Sequence, residues 1–268
     1  MTTAYPPTTA LGRFCVADLV ESPDPYVSSM PLAGLCNPVT GAPSIGPLAV
    51  LVDHAGGLVN HCRRASDEWT VSAELSLEVS ADALSAVERA PQAAVVATAR
   101  PIGTKGSSAL GHCELTVGET TIGVATVRSA YIAHPGDLPQ PWPQTGDGSR
   151  PSDLAEIMAL HVEPTDGVPI IRQRDDPALN NSLGIMHGGV AAAGVELAAS
   201  AVLNSGGAGE PFVTASLRVN FLRRFVSGGE SRYTARALRV GRRTAVADAQ
   251  AVGADGEIAL VARVTAYR

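Results

Sequence analysis

The residues that could do chemistry are concentrated where a polar loop meets an apolar segment. The loop ends in His187-Gly188-Gly189, and the apolar run 190–203 that follows carries one charge, Glu196. Two glycines at a helix start leave backbone N–H groups free for an anion or a polarised carbonyl. A helix that is apolar nearly all round should be buried, and a carboxylate buried there is costly unless it is paired or used. The pattern therefore indicates a functional site.

Composition excludes several classes of protein. The chain of 268 residues is 45% apolar and 17% charged, which is typical of a globular protein. A net charge of −6 argues against general nucleic-acid or membrane binding. We see no signal peptide and no apolar window long enough for a membrane helix, so we expect neither. The scattered cysteines favour reduced thiols in a cytoplasmic protein: Cys15, Cys36, Cys62 and Cys113.

The chain repeats one series of elements. Residues 1–30 are Pro- and Ser-punctuated and are predicted to include a ragged end. The apolar run 48–59 then carries Asp53, and 69–79 alternates as a half-buried strand does. Further strand-like runs follow at 92–100, 107–117 and 121–132. The Pro- and Gly-rich stretch 134–151 is typical of a linker.

Beyond this linker the same series recurs. Glu196 lies 143 residues after Asp53, and Thr214 lies 142 residues after Ser72. Strand-like runs are predicted at 213–221, 231–240, 244–253 and 257–267. The sequence therefore predicts an α+β fold made of two helix-plus-antiparallel-sheet units. Their predicted bounds are 1–133, which includes the N-terminal extension, 134–151 for the linker, and 152–268.

These residues resemble the hotdog-fold thioesterases, in particular their PaaI-like branch. That branch typically has an Asn, a Gly, a His-Gly-Gly corner, an acid nine residues after the His, and a Ser or Thr entering the next strand. The chain supplies all of them at matching spacings: Asn181, Gly184, His187, Gly188, Gly189, Glu196 and Thr214. The resemblance is strong over 165–268 and weaker over 31–132. It implies a double hotdog, in which each long central helix is wrapped by a sheet and the active sites lie between the two units.

The resemblance also makes the two sites of the chain unequal, because each family site joins the loop of one unit to the helix acid of the other. The first site would combine Asn181, His187 and Gly188 with Asp53 and Ser72, and it is complete. We therefore expect this site to be the functional one.

The second site would join the loop of the first unit to the acid of the second. It would combine Asn37, Ser44 and Gly46 with Glu196 and Thr214. Ser44 stands where the family has histidine, so this site lacks one of its groups. We keep Glu196 and Thr214 as candidates.

The resemblance implies hydrolysis of an acyl-CoA thioester without a cofactor or a metal. The Gly188 N–H and the Asn181 amide would polarise the thioester carbonyl. The carboxylate of Asp53 would activate water or attack directly, oriented by Ser72. His187 would position Asn181 or the leaving thiolate.

An acidic protein that binds CoA needs a local patch of positive charge. The span 218–243 holds eight arginines against one acid, and arginine suits bidentate phosphate contacts. Arg242 and Arg243, together with Gly189, are the predicted substrate-binding residues. The alternative is that these arginines only solvate the exposed face of a sheet.

Other functions stay open at this point. The missing histidine of the first unit would suit a non-catalytic acyl-CoA-binding hotdog protein, which would bind CoA esters without turnover. A hotdog hydratase is disfavoured because no Asp-x-x-x-x-His dyad lies in a suitable loop. His54 and His61 lack a further ligand at zinc spacing, so no metal site is expected. An exposed sheet edge would invite a homodimer of double hotdogs.

Overall fold

Two long buried helices and the sheet wrapped around them form the centre of the computed structural model. It describes residues 2–136, 151–165, 167, 169–206 and 210–268. The helices are α1 (Ala10–Arg13), α2 (Leu48–His61), α3 (Ala83–Arg89), α4 (Leu154–Ile157) and α5 (Gly188–Leu203), and Pro177–Leu179 form a 3₁₀ turn. In the described ranges, no helix is both long and apolar enough to span a membrane.

The strands of the described residues form one antiparallel sheet. They are β1 (Thr3–Ala4), β2 (Ala17–Val20), β3 (Tyr26–Met30), β4 (Glu68–Val79), β5 (Val95–Ile102), β6 (Ser108–Val117), β7 (Thr120–Ala133), β8 (Leu160–Glu163), β9 (Ile170–Gln173), β10 (Val213–Phe221), β11 (Arg232–Val240), β12 (Thr244–Val252) and β13 (Ile258–Tyr267). Their order in the sheet is β1-β2-β3-β5-β6-β7-β4-β10-β13-β12-β11-β9-β8.

This strand order is a mirrored repeat that turns at the β4–β10 pair. Strands at equal distances from the pair correspond to one another. Counted outwards, they are β7, β6, β5 and β3 on one side and β13, β12, β11 and β9 on the other. Leu77 of β4 lies opposite Leu217 of β10, and both side chains are fully buried. The duplicated helix-plus-antiparallel-sheet pattern predicted from the sequence is confirmed, and the sheets of the two halves join into one continuous sheet at this pair. The predicted linker falls largely on residues 137–150, which lie outside the described residues.

The two central helices touch through their backbones near the start of α5. A Cβ added at Gly189 would lie 2.5 Å from the Cα atom of Val50 and 2.6 Å from the carbonyl oxygen of Ala49. Only glycine permits this approach, because the neighbouring atoms belong to the backbone and cannot move aside. Gly189 therefore sets the distance between α2 and α5, and with it the distance between the functional groups of the two halves.

Residues 2–30 contain regular elements that the Pro- and Ser-punctuated sequence does not predict. The segment forms α1 and the strands β1 to β3, and it is held by a buried cluster around Asp18. The Asp18 carboxylate is 1% exposed, accepts hydrogen bonds from Ser28 Oγ at 2.6 Å and Tyr5 Oη, and lies 2.9 Å from His54 Nε2. Tyr5 thereby ties the N-terminal residues to α2.

This cluster also fixes how Asp18 titrates. Burial alone would raise the pKa of the Asp18 carboxyl, but the hydrogen bond and charge of His54, with bonds from Ser28 and Tyr5, together lower it from 3.8 to about 2. A lowered folded-state pKa means that Asp18 stabilises the fold fully above pH 3.8 and loses this effect as the pH falls through about 2.

We expect Gly189→Ala to lower the free energy of unfolding by more than about 2 kcal/mol, because the added methyl group meets backbone atoms of α2. Gly57→Ala is the control, since a Cβ at that helical position has nothing within 4 Å. It should be neutral or stabilising by up to about 1 kcal/mol. Denaturant titration measures both, and equal stability of the two variants would contradict the tight helix contact.

We expect Asp18→Asn to lower the free energy of unfolding by about 2 kcal/mol near neutral pH, because hydrogen bonds to a buried charge are lost. The difference from wild type should shrink as the pH falls from 3.8 towards about 2, where Asp18 itself becomes protonated. Asp24→Asn removes an exposed ion pair with Arg100 and should cost less than about 1 kcal/mol. A pH-independent difference for Asp18→Asn would refute this origin of its effect.

Candidate active site

The carboxylate of Asp53 is held by both halves of the chain at once. It lies on α2 and is 8% exposed. Its Oδ1 accepts a hydrogen bond from Ser72 Oγ of β4 at 2.6 Å, and its Oδ2 accepts one from the Gly189 N–H of α5 at 2.8 Å. One donor is in the same half and one is in the other, so the orientation of the acid depends on the way in which the halves pack.

His187 caps the N-terminus of α5 beside this acid. Its Nδ1 accepts a hydrogen bond from the Gly189 N–H at 3.1 Å and lies 3.4 Å from Asp53 Oδ2. An accepting Nδ1 assigns the ring proton to Nε2. Burial lowers the pKa of His187; the negative charge of Asp53 opposes this and the nearby His54 adds to it. The imidazole is therefore a neutral group at pH 7.

Gly188 leaves room next to the Asp53 carboxylate. A Cβ at this position would lie 2.9 Å from Asp53 Oδ2 and 3.3 Å from Cε1 of Phe221. Gly188 is also the first residue of α5, so its N–H has no acceptor within the helix. A hydrogen-bond donor at the positive end of a helix thus lies beside a carboxylate.

The loop before His187 brings Asn181 to the same place. Its backbone N–H donates to the Ile185 carbonyl at 2.7 Å, and its Oδ1 accepts from the Leu183 N–H at 2.9 Å, so the loop folds on the Asn181 side chain. Asn181, His187, Asp53 and Ser72 all line one cavity of about 350 Å³. The structure therefore brings together five residues predicted from the sequence, Gly188 among them.

The second constellation, which joins the loop of the first half to the acid of the second, repeats this geometry. Glu196 on α5 accepts hydrogen bonds from Thr214 Oγ1 at 2.6 Å and from Ser44 Oγ at 2.9 Å. The Gly46 N–H donates to Ser44 Oγ at 3.0 Å, as the Gly189 N–H does to His187. Ser44 thus takes the structural place of the histidine and binds the acid directly.

This second constellation is closed to solvent. Glu196 is 1% exposed, and Ser44, Thr214 and Asn37 are also buried. The Asn37 amide nitrogen donates to the carbonyl oxygen of Leu197 at 2.9 Å, so it is already used inside the protein. Burial raises the pKa of Glu196, against hydrogen bonds from Thr214, Ser44 and Gly46 that lower it. Glu196 is therefore a buried acid whose carboxylate is hydrogen-bonded within the protein.

The arginines predicted to bind phosphate lie elsewhere. Arg242 and Arg243 occupy the turn between β11 and β12, whose neighbour Gly241 shares a surface depression with Leu203 at the end of α5. The cavity of Asp53 lies at the other end of this helix of 16 residues, which is about 24 Å long. The structure does not bring these two side chains to the cavity.

The N-terminal segment forms a part of the cavity wall that the sequence does not predict. Tyr5, Thr9 and Leu11 line the cavity, as does His54 of α2. Nothing in the sequence signals this, because the segment is short, irregular in pattern and about forty residues or more away from α2 in the chain. The buried acid Asp18, which holds Tyr5 in place, was also missed.

Comparisons with known proteins agree with this fold and with this motif. Residues 183–259 match a family model described as the thioesterase superfamily. The match includes the His-Gly-Gly corner, Glu196 and Thr214. No curated protein sequence matches the chain.

Solved structures with the same architecture cover nearly the whole chain. A tesB protein from Mycobacterium avium subsp. paratuberculosis is 14% identical with a TM-score of 0.60, over 93% of this chain and 95% of that one. Acyl-CoA thioesterase II TesB2 from Mycobacterium marinum is also 14% identical with a TM-score of 0.60, over 95% and 94%. A conserved protein with a hot dog fold from Alicyclobacillus acidocaldarius is 15% identical with a TM-score of 0.58, over 92% and 94%. The chain therefore has a double hotdog fold, and residues 183–259 of its second unit are similar to the thioesterase superfamily.

Proposed function

We propose that this protein hydrolyses acyl-CoA thioesters at the Asp53 cavity, where the described residues of its two halves meet. The observation that carries the proposal is the Asp53 carboxylate, held by Ser72 from its own half and by the start of α5 from the other. A superfamily match in the second half, and a structural neighbour that is itself named an acyl-CoA thioesterase, support the reaction class. The His-Gly-Gly corner and its partners favour the PaaI-like branch.

The acid would act as the base that activates water. A water between Asp53 and the substrate attacks the thioester carbonyl carbon and gives its proton to the carboxylate. The tetrahedral intermediate collapses as the C–S bond breaks, and Asp53 returns the proton to the CoA thiolate. The products are a free acid and CoA. Because Ser72 and Gly189 occupy one lone pair on each carboxylate oxygen, further lone pairs stay available for the water.

The carbonyl oxygen needs a hydrogen-bond donor as negative charge develops on it. The N–H of Gly188 suits this role because it is the first of α5 and lies at the positive end of the helix dipole. The Asn181 side chain lines the same cavity and is the candidate second donor. His187, neutral and bonded through Nδ1, can donate from Nε2 to the leaving sulfur or to Asn181.

The second constellation has a structural role in this proposal. Ser44, Thr214 and the Gly46 backbone satisfy the Glu196 carboxylate, and the group is closed to solvent. Its acid therefore has no open face on which a water and a thioester could meet. One working site per chain follows from this.

The test compares two matched acids in the same assay. We expect Asp53→Asn to lower kcat for acyl-CoA hydrolysis by roughly 10³-fold, within the range for loss of a general base. We expect Glu196→Gln to leave kcat within about threefold of wild type, because Glu196 lies outside the cavity. Release of free thiol from a panel of acyl-CoAs measures both.

Either of two results would overturn this proposal. Loss of activity in Glu196→Gln alone would mean that the other site is the working one. Saturable binding of CoA esters without thiol release from any of them would instead identify a binding protein.

A further inference from the structure

The cavity beside Asp53 continues past the acid along α2. Beyond Asp53 it is lined by Gly57, Leu58 and His61, which follow one another along one side of the helix. The first residues of β4, from Trp69 to Ser72, form the opposite wall. The catalytic acid proposed above is therefore at one end of a channel that runs towards the C-terminal end of α2.

Beyond Asp53 and His54, the described residues that line this channel include no further carboxylate. In the described part of the chain, no Lys or Arg lines it. Burial, with the neighbouring charge of Arg64, lowers the pKa of His61 from 6.5 to about 4, so this imidazole is neutral at pH 7. A neutral wall is not suited to the phosphates of CoA.

Several polar side chains of the channel beyond Asp53 are bonded within the protein. His61 Nδ1 lies 2.7 Å from Thr70 Oγ1, and Ser129 Oγ accepts from Asn60 Nδ2 at 3.0 Å. The Tyr5 hydroxyl donates to Asp18. Walls whose polar groups are paired within the protein favour hydrocarbon over an amide-rich ligand such as the pantetheine arm, because burial of amides without partners is costly.

Gly57 determines how far the channel stays open. An added Cβ at this position meets nothing within 4 Å, whereas one at the adjacent Gly56 would lie 2.9 Å from Cγ2 of Val127 and 3.2 Å from Sγ of Cys113. Gly57 therefore faces free space, and Gly56 faces the packed sheet. Gly57 follows Asp53 by four residues, which is about 6 Å along the helix.

We propose that this channel holds the acyl chain of the substrate and that Gly57 is a specificity-determining residue that admits chains of medium length. This inference rests on the proposed function and names its substrate class. The far end of the channel is marked by His61, whose ring contacts Trp69 edge to face at 4.7 Å. His61 lies eight residues after Asp53, about 12 Å along the helix, which leaves room for an aliphatic acyl group such as octanoyl.

The test is the acyl-chain profile of Gly57→Leu, measured as thiol release from acetyl-, butyryl- and octanoyl-CoA. We expect kcat/KM for octanoyl-CoA to fall at least about tenfold, because the leucine side chain replaces several methylene groups of substrate. Activity on acetyl-CoA, whose chain ends before Gly57, should stay within about twofold of wild type. Gly57→Ala should shift the profile in the same direction by less.

A second measurement does not depend on turnover. Calorimetric titration with free octanoate should show binding to wild type and at least about tenfold weaker binding to Gly57→Leu. The substitution should not unfold the protein, since leucine has a higher helix propensity than glycine. A thermal unfolding curve checks this.

The outcomes separate this inference from the proposed function. An equal loss of kcat/KM on all three thioesters would place the pantetheine arm in the channel and overturn the inference, while the hydrolase stands. An unchanged octanoyl profile would place the acyl chain elsewhere. If wild type releases no thiol at all, the proposed function fails, and octanoate binding alone decides whether the channel takes an acyl chain.

Discussion

The structure depends on one carboxylate that belongs to one half of the chain and is oriented by the other. Asp53 can accept the Gly189 N–H only because α2 and α5 approach to backbone contact at that glycine. The same N–H is shared with His187, so acid, imidazole and helix start form one bonded group. The geometry of the site therefore depends on how the two helices pack and on how the two halves join at β4–β10.

The duplicated chain contains two copies of this arrangement, and differences at a few residues give the two acids different surroundings. Where the second half has His187, the first has Ser44, whose short hydroxyl bonds Glu196 directly and leaves no gap beside it. The side-chain oxygen of Asn37 accepts a hydrogen bond from a loop N–H, as that of Asn181 does. The amide nitrogen of Asn37, however, donates to the carbonyl oxygen of Leu197. An acid that is hydrogen-bonded within the protein and shielded from solvent stabilises the interior. An acid that can be reached from a cavity can act on a ligand.

The sequence predicts those features that repetition and alternation encode. The strands after each helix fall within a few residues of their predicted places. The similar spacings of Asp53–Ser72 (19 residues) and Glu196–Thr214 (18 residues) identify both acid–hydroxyl pairs that the structure brings together. It does not predict contacts between distant segments that have no pattern of their own. The N-terminal wall held by Asp18 is such a case, and so is the distance of Arg242 from the cavity, which follows from the length of α5.

A chain with one working site binds one substrate molecule, so binding stoichiometry distinguishes one site from two. A non-hydrolysable thioether analogue of octanoyl-CoA would be titrated into the protein by calorimetry, with the concentration of folded chains measured independently. The arrangement around Asp53 predicts one molecule bound per chain. Two molecules bound per chain would contradict it, because the Glu196 constellation would then have to open.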